Sequence, residues 1–435
     1  MPPSLHTTQE ADVNTKETHS YLSGWLLWLC LSRLALSMIF TAYAAVLPLV
    51  RETWGLSAAK AATVQSAWHF GYLVSLFGAG LLADRFGARR TYLFASVFAT
   101  VAAFAFALGS HGYLSALLLY GLAGLCSGGS YTPGLAVIAE HAPPNARGRA
   151  MGWFLGASSI GYAAELVGVG LLTAFISWRA GLLLGACAAA VGALWGWTAL
   201  RGISDAVRPV GHPSRIWRGL LDTVRDSTAM ACNWSYTFHC WELFVIWAWL
   251  PSYLAASGGA AGGFGKSWGI ALAGFAHFLG AAGSIGGGTA SDRWGRSRVI
   301  LVLSCASLAG SFLFGWISAW PFLALALLGA VYNLCAIADS SIFSTALAES
   351  VPPDRLGAAY SVRSVMGFGT GIISPVVFGA ALDFGRAQFG TASTLAWGLA
   401  WSTAGVGGLL GPLMILRFAR LARQRQSRVG FNPHR

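Results

Sequence analysis

Charged side chains are scarce in this sequence. Only 10% of its 435 residues are Asp, Glu, Lys or Arg, whereas an average soluble domain has roughly 25%. Hydrophobic residues make up 55% of the chain, which is too apolar for an ordinary soluble domain. The composition therefore predicts a membrane protein.

Other features are also missing. The seven cysteines lie in apolar runs without paired spacing, which indicates neither disulfides nor a zinc site. We find no nucleophile with a neighbouring base and no metal-ligand cluster at a membrane face, so we expect neither an enzyme nor a bound cofactor or metal. No segment is long enough for a soluble sensor domain, which makes a membrane sensor the weaker alternative.

The formal net charge of +12 does not indicate a nucleic-acid partner. Basic residues that bind nucleic acids gather on one exposed face, but here they are spread over short segments between apolar runs. Twelve runs approach or exceed the roughly 20 residues that a helix needs to cross a bilayer. We predict transmembrane helices at 24–50, 61–83, 91–109, 113–139, 151–173, 178–200, 229–256, 267–290, 299–319, 321–348, 359–381 and 393–417.

The distribution of Lys and Arg predicts the orientation. If residues 1–23 are cytoplasmic, 21 basic residues lie in cytoplasmic segments and five outside. This bias places both termini in the cytoplasm, and we expect a multi-pass protein of the bacterial inner (plasma) membrane. Residues 42–44 mimic a signal-peptide cleavage site, but the surrounding apolar run is too long for a signal core, so the first helix is expected to stay.

An internal repeat divides the chain into two halves. Residues 80–90 reappear as residues 288–298, and their aspartates, Asp84 and Asp292, stand 208 residues apart. A second match relates 139–148 to 348–357 at nearly the same offset. The expected organisation is a cytoplasmic tail 1–23, a six-helix bundle 24–200, a cytoplasmic linker 201–228, a second bundle 229–417 and a basic tail 418–435.

The first copy of this repeat resembles the signature loop of the major facilitator superfamily. Its matching residues are Gly80, Asp84, Arg85, Gly87, Arg89 and Arg90, with Ala88 where a basic residue is usual. The resemblance covers nearly the whole chain. It implies an all-α membrane protein with twelve helices in two pseudo-symmetric bundles, which transports a solute by alternating access.

By this resemblance, the loop latches the two halves in the outward-open state. A carboxylate can cap a neighbouring helix, and arginines hold the loop at the cytoplasmic face. A loop that only sets topology would explain the arginines but not the copy in each half. The expected latch residues are Gly80, Asp84, Arg85, Gly87, Arg89, Arg90, Gly288, Asp292, Arg293, Gly295, Arg296 and Arg363, the last in contact with the Asp84 loop.

Two family patterns are not matched. Leu117 stands where many proton-coupled members have an arginine, four residues before Gly121. Ala157 replaces the proline of the drug-antiporter signature in the fifth helix. The second departure makes export by antiport a weaker alternative.

Ionisable residues inside apolar runs are functional candidates because burying them is costly. Family resemblance places the first, fourth, seventh and tenth helices around the central cavity. The leading hypothesis is that Arg33 faces Glu242 or a substrate anion across this cavity, and a permanent Arg33–Glu242 ion pair is the alternative. The expected substrate-binding residues are Arg33, Ser37, His239, Glu242, Asn333 and Asp339, and the expected proton-coupling residues are Glu242, Asp339 and Glu165.

His69 and His277 are repeat partners, 208 residues apart. Hydrogen bonding between helices and a role in gating or proton relay both remain open for them. Taken together, the sequence predicts a monomeric transporter that takes up a small, anionic organic solute with protons. The alternatives are a facilitated exchanger or uniporter and export by proton antiport.

Overall fold

The chain is almost entirely helical, and its described part contains no strand. The computed structural model describes residues 24–143, 146–205, 213–260, 265–352, 355–391 and 393–430. The predicted tail 1–23 lies outside these residues. In the described part, eleven helices are long and apolar enough to span a membrane. A twelfth, Ser227–Ala260, has 34 residues and carries buried polar side chains, so the predicted twelve-helix fold is confirmed.

Six transmembrane helices form the first half. They are α1 (Trp25–Ser37 and Ile39–Thr53), α2 (Ala58–Phe86), α3 (Ala88–Gly109), α4 (Tyr113–Ser127 and Thr132–His141), α5 (Arg147–Phe175) and α6 (Trp178–Leu200). A helix that the sequence did not predict, the linker helix Pro213–Arg225, follows α6.

The second half repeats this arrangement. Its helices are α7 (Ser227–Ala260), α8 (Gly265–Trp294), α9 (Arg296–Leu313), α10 (Phe322–Ala338 and Ser340–Ser350), α11 (Leu356–Phe389) and α12 (Thr394–Gly408 and Gly411–Gly430). The last of these extends well beyond its predicted end at 417.

A single glycine connects α2 to α3, and another connects α8 to α9. Gly87 has φ +95° and Gly295 has φ +87°, a region that favours glycine because it has no Cβ. Each donates its N–H to the carbonyl four residues earlier, at 2.9 Å and 3.0 Å respectively. These conformations explain why both copies of the repeated segment contain glycine here.

Two helices are broken at repeat-related positions. The 3-10 turn Gly128–Ser130 interrupts α4 just before Tyr131, and Asp339 separates the two segments of α10. Tyr131 and Asp339 stand 208 residues apart, which is the offset of the repeat. The two breaks therefore place Tyr131 and Asp339 at corresponding levels of the two halves.

The two halves pack together at one face of the membrane. We call the side where the linker helix joins α6 and α7 the terminal face, and the other side the opposite face. Toward the opposite face, a Cβ added at Gly170 would lie 2.7 Å from the backbone of Ala271, and one added at Gly379 would lie 2.7 Å from that of Ala58.

Glycines nearer the terminal face have open space around them. Within the described residues, no atom of a neighbouring element lies within 4 Å of a Cβ added at Gly156 in α5, Gly286 in α8 or Gly369 in α11. These three helices, with α2, run along the boundary between the halves. The cleft between the halves therefore opens toward the terminal face.

Candidate functional site

Arg33 is buried inside the first half, with 4% of its surface exposed. Its Nε donates a hydrogen bond to Ser158 Oγ at 2.7 Å, and its Nη1 donates to Ser130 Oγ at 3.2 Å. Its Cζ lies 5.1 Å from the ring centre of Tyr131 and 5.6 Å from that of Phe154. In the described part of the chain, no carboxylate forms an ion pair with this guanidinium.

Ser37 and Thr41, which follow Arg33 at spacings of four residues, hold α1 against α5. Ser37 Oγ donates a hydrogen bond to the Leu34 carbonyl at 2.7 Å and lies 3.2 Å from that of Ser158. Thr41 Oγ1 donates to the Tyr162 carbonyl at 3.1 Å. The predicted substrate-binding residue Ser37 is thus engaged with backbone in this conformation.

Glu242 lies within the second half and does not meet Arg33. Its carboxylate accepts hydrogen bonds from Ser311 Oγ and, at 3.2 Å, from the Tyr332 hydroxyl. The expected contact between Arg33 and Glu242 is absent from this conformation, because each side chain finds its partners inside its own half. The permanent ion pair considered as the alternative is absent as well.

Asp339 and His239 form a buried pair in the second half. His239 Nδ1 lies 3.0 Å from Asp339 Oδ1, an ion-pair distance without the angles of a hydrogen bond. His239 Nε2 lies 2.9 Å from Ser340 Oγ, and Ser304 Oγ donates to Asp339 Oδ2 at 3.3 Å. Two of the expected site residues are therefore brought together, at the break of α10.

Asn333 and Glu165 occupy other environments. Asn333 Nδ2 donates to the Ala276 carbonyl at 3.0 Å, and its Oδ1 accepts from Trp247 Nε1 at 3.1 Å, so it bridges α7 and α8. Glu165 is fully buried beside Gly185 of α6, and neither of its oxygens has a hydrogen-bond partner in the described part. Because Gly185 belongs to the first half, the side chain of Glu165 points into the first bundle in this conformation.

The two repeat-related histidines belong to one aromatic cluster at the boundary between the halves. The His69 ring lies 5.7 Å from Phe40 and 4.7 Å from Phe244. The His277 ring lies 5.5 Å from Trp247, and Trp247 lies 5.4 Å from Phe40. Because these rings come from both halves, they cover the cleft on the side of the opposite face.

The latch segments make their contacts within their own halves. Asp84 is exposed and has no hydrogen bond or ion pair in the described residues. Arg89 donates to the Leu200 carbonyl at 2.7 Å, and Arg90 lies 3.4 Å from Asp205. In the second half, the guanidinium of Arg296 forms ion pairs with the carboxylates of Asp292 and Glu349. Among the described residues, the hydrogen bonds and ion pairs of these segments all stay within one half.

Arg363 makes its described contacts within the second half. Its Cζ lies 4.6 Å from the ring centre of Tyr236 and 4.8 Å from that of Tyr360, and its Nη1 donates to Ser344 Oγ at 2.7 Å. The expected contact with the Asp84 loop is not made in this conformation and stays a prediction for the outward-open state.

Several residues of the site were not among the sequence candidates. Tyr131, Ser130 and Ser158 surround Arg33, and Tyr236 joins Arg363 to His239 by stacking on the histidine at 5.6 Å. Ser130, Tyr131 and Tyr236 lie on predicted cavity helices, which was the available signal for them, whereas Ser158 lies on the fifth helix, where no such signal was present.

Twelve helices in two like halves, with buried ionisable groups beside a cleft open to one side, define a secondary membrane transporter. The sequence matches the family model of the Major Facilitator Superfamily over residues 29–375. The chain belongs to this family, as its signature loop indicated.

Similar proteins agree with this assignment. The chain is 26% identical over 368 residues to a probable 4-methylmuconolactone transporter of Cupriavidus pinatubonensis, covering 79% of this chain and 81% of the relative. It is 27% identical over 373 residues to the probable sulfoacetate transporter SauU of Cupriavidus necator, covering 77% and 81%.

Solved structures share the fold. A mutant of the nucleoside transporter NupG matches with a TM-score of 0.76 at 18% identity, covering 91% of this chain and all of that chain. A D-xylose-proton symporter matches with a TM-score of 0.68 at 16% identity, covering 90% and 97%.

Proposed function

We propose that this protein carries a small organic anion into the cell together with protons. The observation that carries the proposal is the environment of Arg33. A buried charge is normally paired, but this guanidinium has two serine hydroxyls and two aromatic rings around it and no carboxylate among the described residues. A substrate anion would supply the missing partner, and the planar fork of N–H donors suits a carboxylate or sulfonate.

The named relatives support an anionic substrate. One is named for sulfoacetate, which is a small organic anion. Transport of such a solute, rather than catalysis, is the role that we assign to this chain.

The second half offers groups for proton coupling. Asp339 pairs with His239, and Glu242 lies in the same half with hydroxyl partners. A carboxylate inside a membrane can take up and release a proton as its access to the two sides alternates. Glu165 is the third candidate, because it is buried without a partner in the described residues.

The cleft can be assigned to one side of the membrane. The bias of Lys and Arg favours a cytoplasmic terminal face, so we assign this conformation as inward-facing, in the bacterial inner membrane. Facilitated exchange, uniport and proton-driven export use the same cleft, and transport measurements separate them from symport.

Purified protein screened by thermal shift against mono- and dicarboxylates, sulfonates, sugar acids, inorganic anions and cations tests the proposal, since a ligand stabilises the folded state by mass action. We expect organic anions to raise the melting temperature. Arg33→Lys should weaken this effect, and Arg33→Ala should lower affinity by roughly 30-fold or more, because losing a buried charged partner costs on the order of 2 to 5 kcal/mol. Stabilisation by cations alone, or by anions to the same degree in Arg33→Ala, would contradict the proposal.

A further inference from the structure

Arg363 in α11 has an environment like that of Arg33. Two tyrosine rings lie against its guanidinium, and one of its nitrogens donates to a serine hydroxyl. Its Nε is buried and has no hydrogen-bond partner in the described residues. No ion pair there joins Arg363 to a carboxylate. Stacked rings occupy the faces of a guanidinium and leave its N–H edge available to an anion.

The two arginines lie at similar depths. Arg33 stands roughly 12 Å along α1 from Trp25, and Arg363 stands roughly 10 Å along α11 from Leu356. Both helices begin at the terminal face. The two positive charges therefore lie at nearly the same level, one in each half.

Both arginines lie next to the boundary between the halves. Arg33 donates to Ser158 of α5, one of the helices that run along this boundary. Arg363 belongs to α11, another of these helices, and Phe368, about 7.5 Å further along α11, has its ring centre 5.4 Å from that of Tyr72 in the first half. The two arginines therefore border the same cleft from opposite halves.

We propose that Arg363 is a second anion-binding residue and that the substrate is an organic dianion. One acidic group binds Arg33 and the other binds Arg363, so the substrate bridges the two halves. This inference rests on the proposed function and narrows its substrate class. Two like charges beside one cleft repel each other, and a ligand with two acidic groups compensates both, whereas a monoanion leaves one unpaired.

The position of Arg363 also links the ligand to the proton site. Tyr236 stacks on His239 at 5.6 Å, and His239 pairs with Asp339 at 3.0 Å. An anion on Arg363 is therefore separated from the His239–Asp339 pair by a single ring.

Matched ligands test the inference on the purified full chain. The probes are sulfoacetate against methanesulfonate, and succinate against butyrate, with affinity measured by calorimetry. We expect each dianion to bind wild type more tightly than its monoanion. Arg363→Gln should lose roughly 30-fold in dianion affinity and leave monoanion affinity unchanged, and Arg363→Lys should fall between the two. Arg33→Gln should lower the affinity for monoanions and for dianions.

Arg179→Gln is the matched control, because Arg179 also stacks on an aromatic ring, at 4.6 Å from Trp178, but lies at the start of α6 near the opposite face. The Arg179→Gln protein should bind monoanions and dianions as tightly as wild type does. Monoanions that bind as tightly as dianions, or an Arg363→Lys protein that retains full dianion affinity, would overturn the inference while leaving Arg33 and the proposed function intact. If no organic anion binds wild type, or if Arg33→Gln has no effect, the proposed function itself fails.

Discussion

Asp383 in α11 caps the first turn of α2 across the boundary between the halves. Its two carboxylate oxygens accept hydrogen bonds from the backbone N–H groups of Ala58 and Ala59, at 2.8 Å and 2.9 Å. The first N–H groups of a helix have no partner within the helix, and a carboxylate there is favoured by the helix dipole. Asp383 thus helps to hold the opposite face closed.

The exchange of backbone amide hydrogens tests this cap. Asp383→Ala should speed exchange at Ala58 and Ala59 about fivefold, because a helix cap contributes about 1 kcal/mol, and Asp383→Asn should have a smaller effect. Asp84→Ala, which changes an aspartate at the other end of the same pair of helices, is the control and should leave this exchange unchanged. Equal protection of both amides in all the variants would mean that the carboxylate does not hold α2.

Asp84→Asn should separate binding from transport. In this conformation Asp84 is exposed without a described partner, so expression and ligand binding should stay near normal. Closing the terminal face would bring Asp84 toward the start of α11, where it can cap a helix as Asp383 does here. Uptake into proteoliposomes should therefore slow. Loss of ligand binding by a well-folded variant would show that the latch role is wrong.

Neutralising the coupling carboxylate should uncouple transport. We expect Asp339→Asn or Glu242→Gln to remove proton-driven accumulation in proteoliposomes but to retain downhill exchange, with Glu165→Gln tested next. Asp222→Asn, which alters an exposed carboxylate of the linker helix, is the control. If wild-type uptake is indifferent to a pH gradient, the protein is a uniporter or exchanger.

Asp226 joins the start of α7 to the end of α12. Its carboxylate accepts hydrogen bonds from the N–H groups of Thr228 and Ala229 and, at 2.8 Å, from Arg425. Burial by itself raises the pKa of Asp226, but the hydrogen bonds from Arg425 and from the backbone outweigh it and lower the pKa below its usual value.

A lowered folded-state pKa means that this stabilisation is complete above the unfolded pKa of about 3.9 and is lost as the pH falls through the folded value. Detergent-solubilised wild type should therefore melt at a higher temperature than Asp226→Asn at pH 7. The difference should shrink as the pH drops below about 4. Asp222→Asn should have the same melting temperature as wild type both at pH 7 and below about pH 4. A difference in melting temperature between wild type and Asp226→Asn that grows on acidification would contradict the assignment.

Apolar run length was enough to predict the transmembrane helices, because each must satisfy its backbone within the bilayer. Run length could not predict the break at Asp339. No proline stands beside this residue, and the helix ends at the break depend on contacts with distant residues. The linker helix was missed for a different reason. Its exposed Trp217 and Leu221 are spaced by one helical turn, but the segment is too polar to count as an apolar run.

Scarcity of charge led directly to Arg33, since an arginine inside an apolar run is conspicuous. Its partners could not be inferred, because Ser130 and Ser158 are 97 and 125 residues away in the sequence. The 208-residue offset of the repeat relates position 33 to position 241, next to Glu242, but it says nothing about the direction in which either side chain points. Orientation depends on how each helix is rotated in its bundle, and one sequence does not contain that information.

The paired breaks in α4 and α10 have an evolutionary consequence. A duplicated gene starts with the same irregularity twice, and each copy can then acquire its own chemistry. Here one copy presents Ser130 and Tyr131 to an arginine, and the other presents Asp339 to a histidine. With the roles proposed for Arg33 and Asp339, substitutions around residue 130 should change which solute a descendant carries, while proton coupling near residue 339 is inherited unchanged.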